Sequence, residues 1–268
     1  MNIELVILFF IIATVYASAG FGGGSSYLAV MALFGLQQNV MRPTSLMCNI
    51  VVVIGGTYIL WKNGFFNLKK IIPLSIASVP LAYFGGLIKL SDRTFFLLLG
   101  SSLILAALLM FFQKKSIVPN NTNDISPPQY FDEKTDKPLI INNLAKEKGF
   151  WQSVSIGGLI GFFSGMVGIG GGIFLSPVLN LMRWDTPKNI AATASFFILV
   201  NSISGLVGQL QKNPHLDWYF TLPLLLSVLI GGQIGSRLSV FRLNQILVRQ
   251  VTAALVLYAG VNILWTHI

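Results

Sequence analysis

The amino-acid sequence predicts an all-α polytopic membrane protein of two inverted repeats, each a glycine-broken helical hairpin plus three transmembrane helices. Low charge is the first observation: 10% of the 268 residues are charged and 54% are hydrophobic, whereas soluble domains carry about 25% charged residues. The other observations are long uncharged blocks and a pair of matching glycine runs. The blocks, each long enough to indicate membrane spans, are 71–88, 94–112, 152–182, 189–211 and 218–236.

A polar segment, residues 113–150, divides the chain into halves of similar size. It is rich in Asn, Asp, Lys and Pro, and Pro127-Pro128 disfavours a helix, so we expect a solvated linker. The linker separates a first membrane repeat, 1–112, from a second, 151–268. The predicted spans of the two repeats are 41–61, 70–90 and 93–112, and then 188–210, 218–238 and 246–265.

Matching residues indicate that the second half duplicates the first. The glycine run Gly22–Gly24 corresponds to Gly170–Gly172 at an offset of 148 residues. A slowly increasing offset is what a duplicated unit with small insertions would give. The further matches are Thr44 and Gly56 with Thr193 and Gly205 at 149, and Pro73 and Gly85 with Pro223 and Gly235 at 150.

Positive charges near the membrane favour an inverted arrangement. If each broken segment crossed the membrane once, the Lys and Arg residues of the loops would divide 8 against 8. If each broken segment enters and leaves on one side, 12 of these Lys and Arg residues lie inside and 4 lie outside, which agrees with the positive-inside rule. Both termini then lie outside and the linker is cytoplasmic. The inner loops are 61–70, the two ends of the linker, 183–188 and 237–249, and the outer ones are 36–43 with Arg42, 89–93 and 211–217.

The N-terminal apolar stretch ends in Ala17-Ser18-Ala19, which is similar to a signal-peptide cleavage site. It lacks the basic region that a signal peptide carries, and Glu4 is acidic instead. We therefore expect residues 1–19 to be retained as one arm of the first hairpin. Whether the hairpins are re-entrant or cross as two tilted spans is left open.

The glycine runs themselves admit more than one interpretation. Neither is followed by Gly-Lys-Ser/Thr or lies in a βαβ pattern, so a nucleotide-binding loop is disfavoured. Close helix packing is one alternative, and it is the expected role of Gly85-Gly86 and Gly231-Gly232. The interpretation we favour is a helix break, because irregular backbone in a bilayer is tolerated where it lines a cavity.

A helix that begins after each break would present free N–H groups to an anion. We expect one helix to run from Ser25 and Ser26 to about Leu36, and another to begin near Ile173. No ionisable residue is predicted at mid-membrane, since Glu4 and Arg42 lie near span ends, and this disfavours a proton relay or a carboxylate cation site. The candidate substrate-binding residues are Gly22, Gly23, Gly24, Ser25, Ser26, Thr44, Asn49, Gly170, Gly171, Gly172, Thr193, Ser195 and Asn201.

The other chemistry-bearing residues indicate neither catalysis nor a cofactor or metal. Cys48 is the single cysteine and is expected to be a small buried residue. His215 and His267 are expected to be solvated, in a loop and at the terminus. Ser25 has no neighbouring base, so an enzyme is not expected. For Asn49 and Asn201, a purely structural interhelical hydrogen bond is the alternative role.

Two stretches, "GFGGGSSYLAVMALFGL" and "GMVGIGGGIFLSPVLNLM", are each followed by a helix rich in Thr and Ser, "RPTSLMCNI" and "AATASFFILVNSISG". Together they resemble the TauE/SafE family of sulfite-exporter-like membrane proteins, over both halves but not the linker. The resemblance implies a carrier of the bacterial inner membrane that exports sulfite or a small organosulfur anion such as sulfoacetate. It also implies that the helix with "TASFFILVNSISG" lines the site. The first half departs from the family's Ala-Gly-Thr-Ser pattern, with Arg42-Pro43-Thr44-Ser45 in its place.

The sequence therefore predicts a secondary transporter that exports a small sulfur-containing anion, such as sulfite, thiosulfate or an organosulfonate, by alternating access. The alternatives are a carrier of the same fold for another solute, including uptake, and a non-transporting membrane assembly protein. The expected partners are a small anion and the lipid bilayer. The net charge of +9 is explained by topology, so no nucleic acid is expected. The oligomeric state is open, with a homodimer as one alternative.

Overall fold

The computed structural model describes residues 3–18, 20–112, 130–131, 138–139, 149–182, 184–212, 216–238 and 245–267. Most of the expected linker therefore lies outside the described residues, as do Arg183, His215 and Arg242. Within the linker, two short strands, β1 (Tyr130–Phe131) and β2 (Pro138–Leu139), pair in antiparallel orientation.

The rest of the described chain consists of α-helices, as the sequence predicts, and every expected span agrees with a helix to within three residues at each end. The first half contains α1 (Ile3–Ser18), α2 (Gly24–Leu33), α3 (Gln38–Lys62), α4 (Leu68–Leu87) and α5 (Asp92–Phe112). The second half contains α6 (Gly149–Val167), α7 (Gly172–Leu181), α8 (Pro187–Lys212), α9 (Trp218–Leu238) and α10 (Gln245–His267). The all-α prediction is confirmed.

Six helices of the described chain are long and apolar enough to cross a membrane: α3, α4, α5, α6, α8 and α9. Helices α1, α2 and α7 are apolar but shorter, at 16, 10 and 10 residues. The arms of the two broken segments are thus unequal, since α6 has 19 residues and spans about 28 Å at 1.5 Å per residue. The chain is a multi-pass membrane protein.

Exposed aromatic side chains mark the helix ends. Trp61, Trp151, Trp218 and Trp265 each lie within three residues of the end of a helix, and each is more than half exposed. Tryptophan is enriched at the two membrane–water interfaces, where its ring packs against apolar chains and its N–H remains hydrated. Their placement fits helices that cross a bilayer from one interface to the other.

Small residues let helix backbones approach closely between the two halves. A Cβ atom on Gly157, Gly161 or Gly165 of α6 would collide with the backbone of α4. The three positions contact residues 74, 78 and 82 in turn, so α4 and α6 run parallel. Along α9, Gly231 and Gly235 contact residues 10 and 14 of α1 in the same manner. Glycines spaced four residues apart are a common device for membrane helix packing.

The predicted packing role of the two glycine pairs is confirmed. A Cβ atom on Gly85 would meet the backbone of Phe162 in α6, and one on Gly86 would meet Gly205 in α8. Gly231 lies against the backbone of α1, and a Cβ on Gly232 would lie 3.4 Å from the Cα of Val52 in α3.

Equivalent helices of the two halves make equivalent contacts. Helix α4 packs on α6 and α8, while α9 packs on α1 and α3. Helix α5 contacts α7, while α10 contacts α2. The pairs α5–α10 and α3–α8 join equivalent helices directly. The helices of each pair are antiparallel. In α5–α10, Gly100 lies by Leu264, whereas Ile104 lies by Gly260. In α3–α8, Leu46 lies by Gly205, whereas Gln38 shares a cavity with Lys212.

Three local expectations are wrong. Helix α2 ends at Leu33 instead of Leu36, because Gly35 adopts a φ of 72° and its N–H bonds to the Ala32 carbonyl in a typical glycine cap. The chain then turns at once into α3, so Arg42 lies in the second turn of that helix and is buried, not in a loop. His267 is half-buried, and its ring stacks on Phe96 with centroids 3.8 Å apart.

Candidate functional site

The two glycine runs interrupt the helices in the same way. Gly23 precedes α2 with a φ of 83°, and Gly171 precedes α7 with a φ of 85°. Positive φ is readily adopted by glycine and is costly for other residues. The runs therefore form the break between α1 and α2 and the break between α6 and α7.

Each break leaves backbone donors at the start of a short helix. The Tyr27 N–H bonds to the Gly23 carbonyl at 3.0 Å, and the Leu175 N–H bonds to the Gly171 carbonyl at 3.0 Å. Amide groups in the first turn have no acceptor within their own helix. Ser25 and Ser26 follow the cap and are buried, and the Ser26 hydroxyl pairs with the Tyr16 hydroxyl at 2.5 Å.

The side chain of Asn49, on α3, lies between the two glycine runs. Its Nδ2 donates a hydrogen bond of 2.9 Å to the carbonyl of Ile169, beside the second run. A Cβ atom on Gly22 would lie 2.6 Å from the Asn49 Oδ1, and one on Gly24 or Gly170 would collide with its Nδ2. One buried amide thus contacts glycines from both halves of the chain.

Helix α8 closes the other side of this contact. Ile198 occupies the position that the repeat aligns with Asn49, and it packs against Gly22 and Gly172. A Cβ on Gly170 would lie 2.7 Å from the Ser202 Oγ. We call this cluster the glycine junction; it consists of Gly22, Gly24, Gly170, Gly172, Asn49, Ile198 and Ser202. The described conformation packs this junction closely, because side chains from α3 and α8 contact the glycine backbone directly.

Serine hydroxyls hold the backbone around the first run. The Ser45 Oγ donates to the carbonyl of Gly24 at 3.0 Å, and the Ser195 Oγ donates to the carbonyl of Gly20 at 2.6 Å. Ser45 comes from α3 and Ser195 from α8. The same two helices that flank the junction therefore also hold the backbone just before the run, at Gly20, and at its end, at Gly24. These bonds leave the serine oxygens free to accept further hydrogen bonds.

Four residues at the glycine runs are absent from the sequence-based candidate set. Ser45, Ser202, Ser164 and Tyr27 are all buried, and the hydroxyls of the last three have no hydrogen-bond partner among the described residues. Ser45 lies one helical turn before Asn49, and Ser202 lies one turn after Ile198. Helical spacing from the predicted Asn49 position and its repeat counterpart could have identified both.

Three of the predicted residues make their described contacts elsewhere. Thr44 shares a 3.2 Å hydrogen bond with Thr221 of α9. The Asn201 Nδ2 donates to the Phe197 carbonyl of its own helix at 2.8 Å, so it does not bridge two helices. Thr193 is buried on α8, about half a turn before Ser195. Of the two predicted asparagines, Asn49 is the one that contacts both glycine runs.

The residues of the junction carry neutral donors and no charged side chain. The donors are the backbone amides of two helix starts, the Asn49 amide and the Ser202 hydroxyl. Such a set can hold an anion by hydrogen bonds and the partial positive charge of the helix ends.

Comparison with known proteins assigns the chain to a known protein family. The family model "Sulfite exporter TauE/SafE" matches residues 5–263. The probable membrane transporter protein y4hK of Sinorhizobium fredii is 30% identical over 267 residues, covering 98% of each chain. The probable membrane transporter protein MamO of Paramagnetospirillum magneticum is 27% identical over 242 residues, which are 81% of this chain and 37% of that protein. No solved structure shows a significant match.

Proposed function

Because the chain belongs to the sulfite exporter TauE/SafE family, we propose that it is a secondary transporter exporting a small sulfur-containing anion by alternating access. The cargo class is sulfite, thiosulfate or an organosulfonate such as sulfoacetate. In this proposal the protein lies in the bacterial inner membrane, with both termini outside and residues 113–150 in the cytoplasm. It acts as a carrier and not as an enzyme.

The observation that carries this proposal is the position of Asn49 between the two glycine runs. One side chain contacts Gly22 and Gly24 of the first half and Gly170 of the second. Broken helices that meet at a repeat interface are where secondary transporters bind their substrates. The proposed binding residues are those of the sequence-based set, of which Asn49 and the glycines lie at the junction itself.

The inverted arrangement of the repeats is part of the proposal, and two contacts support it. Lys70 and Asp185 form an ion pair of 2.8 Å, which joins the loops 61–70 and 183–188 on one side. Arg42, Lys89 and Lys212 line one cavity, which joins the start of α3, the loop before α5 and the end of α8. An arrangement in which each broken segment crosses once would place Lys70 opposite Asp185. It would also place Lys212 opposite Arg42 and Lys89.

The close packing of the junction corresponds to a closed state in this scheme. For an anion to bind, the contacts of Asn49 and Ile198 with the glycine runs must open toward one side and then the other. Interfaces between repeats are where such rocking motions occur in carriers. The glycines suit this motion because their missing side chains let the two halves approach and separate without a steric barrier.

Flux measurement with the purified protein tests this proposal. Proteoliposomes are loaded with sulfite, thiosulfate, sulfoacetate or sulfate, and efflux is compared with that from protein-free vesicles. We expect protein-dependent flux of at least one sulfur anion. A correctly folded protein that moves none of the four would contradict the proposed cargo, and flux of another solute instead would support the alternative carrier.

A further inference from the structure

A second polar feature lies away from the glycine junction, at the end of the helices. It is a cavity of about 490 Å³ between the start of α3, the segment 88–91 and the end of α8. Its lining is mostly polar or charged and includes Gln38, Arg42, Lys89, Asp92, Gln209 and Lys212. Its position at helix ends, with Lys89 and Lys212 exposed, gives it access to the aqueous phase.

Arg42 is the buried cation of this cavity, with 8% of its surface exposed. Its Nη1 donates a long bond of 3.4 Å to the Ile88 carbonyl. Its Nε and Nη2 have no partner among the described protein groups. These two nitrogens lie on one edge of the guanidinium and form the fork that binds two oxygens of an oxyanion side by side. Burying an unpaired guanidinium is costly, so a ligand that pairs with the fork would be strongly favoured.

The charges around Arg42 favour an anion. Lys89 and Lys212 line the same cavity, and Asp92 is the acidic residue among its lining residues. The Asp92 Oδ1 accepts a hydrogen bond of 2.9 Å from the Gln38 Nε2, and no ion pair joins it to Arg42 among the described residues. Three cations therefore face one carboxylate that is already bonded elsewhere.

Helix α3 connects this cavity to the glycine junction. Arg42, Ser45 and Asn49 are spaced three and four residues apart, so they follow one face of the helix over about 10 Å. Ser45 bonds to the Gly24 carbonyl, and Asn49 lies in the junction. A Cβ atom on Gly168, in the second break, would lie 3.1 Å from the Arg42 Cα. The backbone of Arg42 thus packs directly against the broken segment.

We propose that this cavity is the outer loading and release site for the transported anion. The Nε–Nη2 fork of Arg42 is enclosed by protein in the described conformation, and it holds two oxygens of one sulfite or sulfonate group once the helices around it move apart. The inference rests on the proposed anion transport and deepens it. Arg42 binds the anion at the aqueous mouth, and the same face of α3 continues to Asn49 in the junction. The planar fork selects an anion with two oxygens on one atom over a spherical halide, since a halide can accept from the fork at only one centre.

Three charge variants test the inference. Arg42→Gln removes the charge and the fork, Arg42→Lys keeps the charge without the fork, and Arg93→Gln removes an exposed charge of the same loop region outside the cavity. Sulfite uptake from the outer face into oriented proteoliposomes is measured over a range of concentrations. Competition by methanesulfonate and by chloride is measured in the same preparation.

We expect Arg42→Gln to raise the KM for sulfite roughly tenfold or more, since charge-assisted hydrogen bonds contribute about this factor or more in affinity. Arg42→Lys should raise the KM less and lower the preference for methanesulfonate over chloride. Arg93→Gln should leave both unchanged. A wild-type KM and wild-type preference in Arg42→Lys would overturn the inference. Elution of each variant as a single species in size-exclusion chromatography checks its folding. If Arg42→Gln misfolds, the KM and the anion preference of Arg42→Lys and Lys212→Gln test the role of the cavity instead.

The two proposals fail differently. If the wild-type protein moves no sulfur anion, the proposed transport function is wrong. If the wild-type protein moves sulfite and the Arg42 variants do so with unchanged KM and selectivity, transport stands and the role of the cavity is wrong.

Discussion

The side-chain amide of Asn49 donates a 2.9 Å hydrogen bond to the backbone carbonyl of Ile169, across 120 residues of sequence. This bond joins a helix of the first half to the glycine break of the second. The Asn49 Oδ1 has no partner among the described protein groups and lies beside Gly22. The two halves of this multi-pass membrane transporter are therefore coupled at the point where both sets of helices are broken.

Replacing Asn49 by alanine should impair transport more than the same change at Asn201. Both side chains are fully buried, but Asn201 bonds to its own helix whereas Asn49 bonds across the junction. We expect Asn49→Ala to lower the transport rate roughly tenfold or more, since losing a buried hydrogen bond costs about 1–3 kcal/mol. Equal rates in the two variants, measured by flux at equal amounts of folded protein, would argue against a special role for Asn49.

The two side chains of the Lys70–Asp185 ion pair should contribute unequally to the stability of the fold. Asp185 also accepts hydrogen bonds from the Thr186 N–H at 2.7 Å and from Asn189 at 2.9 Å, next to the start of α8. Lys70 is 27% exposed and makes the ion pair with Asp185. We expect Asp185→Ala to lower the free energy of unfolding by about 1–3 kcal/mol and Lys70→Ala by about 1 kcal/mol or less.

Thermal or denaturant unfolding of both variants in detergent gives these differences. The double variant Lys70→Ala/Asp185→Ala should be close to Asp185→Ala alone, because the ion pair is already lost in the single variant. Fully additive losses would show that the two side chains do not interact.

The proposed orientation of α3 in the membrane predicts opposite accessibility for the loops at its two ends. Gln37, between α2 and α3, and Asn63, after α3, are both exposed and lie at opposite ends of α3. In a Cys48→Ala background, a membrane-impermeant maleimide should label Gln37→Cys in intact cells. Asn63→Cys should react only after the cells are permeabilised. The reverse pattern would place the termini inside and contradict the proposed orientation, as would labelling of both from outside.

The breaks and the spans could be predicted from the sequence because their causes are local. Uncharged blocks identify the long helices, and two triple-glycine runs identify the points where Gly23 and Gly171 adopt positive φ. The resemblance to the TauE/SafE family, based on the same stretches, is confirmed by the family model. The all-α class follows from the same hydropathy pattern.

The contacts that build the candidate site depend on tertiary packing and could not be predicted in the same way. Asn49 and Ile169 are brought together by the packing of α3 against the second half, which no local pattern reveals. The burial of Arg42 follows from the early end of α2 at Gly35, since a short turn places Arg42 inside α3. The distribution of charges along the sequence predicts only an ordinary loop cation at Arg42.

If the transported anion passes through the glycine junction, a pair of glycine substitutions inside and outside the junction should differ in their effect on transport. Gly24 and Gly56 both have helical backbone without positive φ. A Cβ on Gly24 would collide with the Asn49 Nδ2 and the Ile169 carbonyl, whereas a Cβ on Gly56 would meet nothing within 4 Å. Overpacking of this kind costs about 1–3 kcal/mol, and Gly→Ala in an open helix is neutral or stabilising.

The measurement is sulfite counterflow in proteoliposomes that contain equal amounts of folded wild-type, Gly24→Ala or Gly56→Ala protein. We expect Gly56→Ala to retain the wild-type rate to within about twofold and Gly24→Ala to lose roughly fivefold or more. If Gly24→Ala exchanges sulfite at the wild-type rate, the junction is not the point through which the anion passes.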